Sequence, residues 1–203
     1  MGLDITVLMA DWDRLSRIPA AERLDALTDS AYPDFCCDAC WDADFAVPGG
    51  WVWPRDREQP WCAEYRFFGT TGTYKWHAEL DGAWESMRPF TEPGLRGTLD
   101  TFLGGIVGED SGSGEDGAGD APESWPGRLL LYCPPERAGL LARSWERAGP
   151  RLEELRAPFE SEATTRWGGR PKTFDAMAAL LREWGEVVTG ADRRGWGLVG
   201  LPW

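Results

Sequence analysis

Hydrophobic positions alternate at the start of the chain, where Leu3, Ile5, Val7 and Met9 are interleaved with Asp4, Thr6 and Leu8. A period of two predicts a strand. Asp11 follows as a cap for a short helix carrying Trp12 and Leu15. Pro19 suits the first turn of a second helix, whose Leu24, Leu27 and Ala31 share a face before Pro33 ends it. Behind Pro93, residues Leu95, Leu99, Phe102, Leu103 and Ile106 form a helical stripe. Pro134-Pro135-Glu136 opens another, in which Ala138, Leu141, Trp145, Ala148, Leu152, Leu155 and Phe159 recur in heptad-like steps. Gly149-Pro150 interrupts that run, which predicts a kink or two successive helices. The last helical face is Phe174, Met177, Ala178, Leu181, Trp184 and Val188, with Thr173 as its cap and Gly190 as its stop.

The clearest alternation lies in the middle. Trp61, Ala63, Tyr65 and Phe67 are interleaved with Cys62, Glu64, Arg66 and Phe68; after Gly69-Thr70-Thr71-Gly72, Tyr74, Trp76, Ala78 and Leu80 are interleaved with Lys75, His77 and Glu79. Two such runs around a short glycine-containing loop predict a β-hairpin. Its register sets Tyr65 opposite Trp76 on a buried face, and Glu64 opposite His77 and Arg66 opposite Lys75 on a polar one. The short apolar run Arg128-Leu129-Leu130-Leu131-Tyr132-Cys133 predicts a central buried strand, and Trp196–Leu201 a final strand that pairs with the first. Strands and helices mix without βαβ alternation. The fold class expected is therefore α+β: a single domain over 1–203, with a mixed or antiparallel sheet, a central hairpin and amphipathic helices packed on it.

Two stretches lack periodicity. Residues 34–60 are rich in Trp, Pro, Gly and Asp, and read as an ordered loop region because Trp41, Trp51 and Trp53 are too apolar to leave wholly in water. Gly108 to Gly127 holds six acidic residues, six glycines and no basic one, the composition of a flexible surface loop.

Charge narrows the range of partners. The chain of 203 residues carries a formal net charge of −13, which would repel nucleic acid and anionic membranes; a basic protein partner is the compatible class. No apolar run approaches the roughly 20 residues that cross a bilayer. The opening residues carry no basic cluster ahead of their apolar stretch, so no signal peptide is expected, and a cytoplasmic location follows. Five cysteines, three of them Cys36, Cys37 and Cys40, make a poor disulfide framework. The single C-x-x-C lacks a second pair, so neither a metal nor another cofactor is expected.

Catalytic options are few. His77 is the only histidine, so any imidazole base must be this residue. The polar face of the 61–80 hairpin would gather Glu64, Arg66, Lys75, His77 and Glu79, where a carboxylate could orient the imidazole and the Arg66–Lys75 pair could hold an anion. No Walker motif, strand-anchored Gly-x-Gly-x-x-Gly or nucleophile elbow is present. With 34 acidic residues, a carboxylate pair carries no information by itself. The 13 tryptophans are the compositional oddity. Most fall on predicted core faces, which leaves Trp51 and Trp53 as the surface candidates for stacking on a ligand.

Met1–Leu8, Ser144-Trp145-Glu146-Arg147, Glu183-Trp184-Gly185-Glu186-Val187-Val188-Thr189 and Arg194–Leu201 resemble an uncharacterised group of actinobacterial proteins. The layout, a Met-Gly opening strand and a strand at the C-terminus, is similar to that of the YfbM-like family. The second resemblance implies an α+β fold, and neither brings an activity. The functional expectation is a soluble, non-catalytic binding protein for a basic partner, comparable to a toxin-immunity protein. The alternative is a small-ligand binder or enzyme that uses the hairpin's polar face.

Overall fold

Alternation and caps account for most of the elements. The computed structural model describes residues 5–31, 49–54, 59–68, 75–107, 129–163 and 171–202. Strand β1 (Ile5–Ala10) is followed by α1 (Trp12–Arg17), whose N-cap Asp11 accepts a hydrogen bond from the Arg14 amide at 3.1 Å. Helix α2 (Arg23–Ala31) comes next, then strands β2 (Gly50–Val52) and β3 (Cys62–Arg66). Helices α3 (Lys75–Met87) and α4 (Pro93–Gly104), edge strand β4 (Leu131–Cys133) and α5 (Pro135–Ala148) follow. The interruption at Gly149-Pro150 is real: the chain tightens into a 3₁₀ segment, Gly149–Leu155, before α6 (Phe174–Arg194) and β5 (Gly197–Pro202) close the fold.

The five strands form one antiparallel sheet in the order β2-β3-β1-β5-β4. The first and last strands pair at its centre, with Val7 opposite Gly200 and Met9 opposite Leu198. The fold is α+β. Because β1 lies between two neighbours and under helices on both sides, its whole run Val7–Ala10 is buried. Val7 and Met9 face a large core built from α3 to α6, whereas Leu8 and Ala10 face a small one built with Leu15 of α1 and Leu27 of α2.

Three expectations are corrected. Residues 75–80 are helical and so do not form the second strand of a 61–80 hairpin, because His77, Leu80, Ala83, Trp84 and Met87, all buried, lie at steps of three and four. Extended through Met87, the helical period outlasts a seven-residue alternation, and Trp84 Nε1–H and Arg88 both bind Asp100 of α4. Strand β4 is buried but sits at the sheet edge rather than in the middle. Helix α6 runs through Gly190 and stops at Gly195, whose φ of 66° is the left-handed turn that glycine adopts without strain. The acidic stretch 108–127, Cys36, Cys37 and Cys40, the expected turn at 69–72 and the side chains of Lys75 and Trp76 lie outside the described residues.

Candidate functional site

Alternation along β3 divides its side chains between the two faces of the sheet. Ala63 and Tyr65, then Phe67 beyond the strand, enter the large core; Cys62 belongs to the small core under α2, and Glu64 and Arg66 alternate with it on that side. Three nearby residues of α6 meet the end of β3 and the start of α3. Glu186 Oε2 accepts the Tyr65 hydroxyl at 2.8 Å, a Glu183 oxygen accepts the Phe68 amide, and Trp184 Nε1–H donates to His77 Nδ1 at 2.9 Å. Aromatic edges fill the space between them. The Phe67 ring centre lies 4.9 Å from that of Tyr65, 4.6 Å from His77 and 4.9 Å from Trp184, while Trp51 meets Tyr65 edge-on at 5.1 Å.

Electrostatics follow from this enclosure. Burial lowers the His77 pKa to about 4, so the imidazole is neutral at neutral pH. Its Nδ1 lone pair is already spent on Trp184, which assigns the remaining proton to Nε2. Burial raises the Tyr65 pKa, and the hydrogen bond to Glu186 and the charges of Glu186 and Glu183 raise it further, so the phenol stays protonated. Burial also raises the Glu183 carboxyl; the Phe68 amide opposes that shift and the Glu186 charge adds to it. Perturbed titratable groups packed together can mark a reacting centre. Here each is committed to a contact that fastens β3 or α3 to α6, so the cluster works as a clamp.

The residues expected to share one polar face do not do so. Glu64 and Arg66 pair with each other at 3.2 Å on the α2 side of the sheet, whereas His77 is 2 % exposed in the core on the other side. Lys75 opens α3, and Glu79 lies half-buried on it. Trp51 and Trp53 are half-buried and lean on the large core rather than standing free. Glu183, Trp184 and Glu186 carry the contacts that sequence reasoning missed. The acidic pair was visible at a spacing of three, but among 34 acidic residues such spacing means nothing until a partner strand is placed beside it.

The thiols described are not poised to react. Cys62 and Cys133 are buried, and burial pushes the Cys133 thiol up to about 12. Among the described residues no group of three or more His, Cys, Asp or Glu side chains converges on a metal-sized site. A shallow depression lies against Trp12, Leu15, Ser16, Arg23 and Tyr132, and its Arg23 guanidinium already donates to the Ile18 and Ser16 carbonyls. No helix among the described residues is long and apolar enough to cross a membrane. No protein-family model, curated protein or solved structure matches this chain.

Proposed function

We propose that this chain is a non-catalytic binding protein of the cytoplasm that recognises a basic protein, much as an immunity protein neutralises its target. The observation that carries the reading is the place of His77. The one imidazole in the chain is sunk in the core, neutral, with an acceptor nitrogen held by Trp184, so general acid–base chemistry loses its usual agent. The net charge of −13 supplies the attraction instead. It persists at −7 when the six acidic residues of 108–127 are set aside, since −13 plus 6 leaves −7. Such a surface steers a cationic partner and speeds its association at low ionic strength. The alternative, chemistry on a polar face of 61–80, lacks its face, because Glu64 and Arg66 lie across the sheet from His77.

The test is capture from native lysate at low salt, followed by reconstitution of the purified pair. A stoichiometric partner of high isoelectric point is expected, with an association rate that falls steeply as salt rises. Recovery of no stoichiometric partner, with the chain monodisperse and monomeric throughout, overturns the reading.

A further inference from the structure

Along α6, Glu183, Glu186, Gly190 and Arg194 follow one another at steps of three and four, which keeps them on one side of the helix. The first two fasten the end of β3. At Gly190 the Trp51 indole lies so close that a Cβ would stand 2.6 Å from its Nε1. One turn further, the Arg194 guanidinium lies 4.2 Å from the ring centre of Trp53 and 5.4 Å from that of Trp196. The two indoles are 6.2 Å apart and tilted by 56°; both are half-buried, and Arg194 is exposed. Arg66, Arg88, Arg151 and Arg156 each hold a carboxylate. Among the described residues Arg194 holds none, and the indoles are what position it.

We propose that the Trp53–Trp196 pair is a seat for an arginine side chain of the basic partner, and that Arg194 is a resident plug which that arginine displaces. The proposal rests on the basic-partner reading above. Indole faces attract a planar guanidinium through the ring quadrupole, and Arg stacks there better than Lys. The resident contact demonstrates that these two rings accept the group. An exposed cation–π contact is weak, so an incoming arginine held by further contacts can replace one that has no ion pair to lose. The overall negative charge draws the cation in, and the tether through Gly195 keeps Arg194 at hand when the seat empties.

The probe is a capped Gly-Arg-Gly peptide titrated into the full chain while the Trp53 and Trp196 indole N–H resonances are followed by NMR. In Arg194→Ala the half-saturating concentration should fall by about two- to five-fold, the equivalent of one exposed cation–π contact. The citrulline peptide, with the same shape and no charge, should shift neither resonance. In the Arg194→Ala background, Trp53→Ala should abolish the response of Trp196. Should that variant fail to fold, Trp53→Phe keeps a ring and should weaken binding. Equal or weaker binding to Arg194→Ala, or an equal response to citrulline, overturns the proposal. A captured basic protein with a null titration removes the seat and leaves the partner reading standing; a positive titration without a captured partner supports the seat and counts against that reading.

Discussion

Strand β3 and helix α3 deliver ring side chains to the same stretch of α6, yet they are built by different rules. Strand β3 gains its conformation from neighbours: β1 and β2 pair with it on both edges, so its alternation becomes two faces with separate duties. Helix α3 satisfies its backbone within itself and needs only one buried stripe, His77, Leu80, Ala83, Trp84 and Met87. A histidine on that stripe faces Phe67 and Trp184, whereas on a hairpin's outer face it would have met water and Glu64. The same residue is a solvated base in one geometry and a neutral core acceptor in the other. What separates them is the length over which a period is sustained, since seven alternating residues suit either element and thirteen do not.

The comparison can be broken most severely at its shared anchor. Trp184 is fully buried, touches Phe67 and binds His77. Trp184→Ala should cost about 3–5 kcal/mol in urea unfolding, and amide exchange should accelerate at both the end of β3 and the start of α3. Acceleration at only one of them would show that the two elements are not clamped together.

The pH dependence of His77 gives the next largest effect. A base whose pKa is about 4 in the fold, against an ordinary value near 6.5, binds fewer protons folded than unfolded between those limits. Its contribution is complete above pH ~6.5, drains away as pH falls towards about 4, and should total about 3 kcal/mol. The raised Glu183 carboxyl acts in the opposite sense, because it favours the fold while protonated and loses that contribution as pH rises. Subtracting the stability curve of His77→Gln isolates the imidazole: Gln preserves an acceptor for Trp184 but does not titrate. Matching slopes in the two proteins between pH 4 and 6.5 would place His77 in water, as the hairpin required.

The smallest effect sharpens the comparison most directly. At Glu79, within α3, Ala should be more stable than Thr by about 0.5 kcal/mol, because a β-branched side chain loses rotamer freedom in a helix. Both substitutions remove the carboxylate, so their difference reports backbone preference. A strand would reverse its sign.

Much of the fold was legible without coordinates, for reasons that differ by element. Asp11 and Thr173 cap α1 and α6 because a short polar side chain before an apolar stripe has a local donor to satisfy. The stripe behind Pro93 and the break at Gly149-Pro150 are local as well. Gly190 read as a stop because glycine is the usual residue at a helix's C-terminal cap. Its reason for being there is the Trp51 ring, contributed by a strand far away in sequence.

By itself, the sequence determined which segments carry a sustained period, where α1, α4, α5 and α6 begin, that both ends of the chain read as strands, and that the whole is strongly acidic. Those properties depend on residues within a turn or two of one another, or on simple sums. Tertiary structure alone decided that β4 lies at an edge, and that Tyr65 meets Glu186 and His77 meets Trp184. These pairs lie 121 and 107 residues apart. Many acidic and aromatic side chains compete for each such partnership, and only the packing of α6 across the end of β3 selects among them.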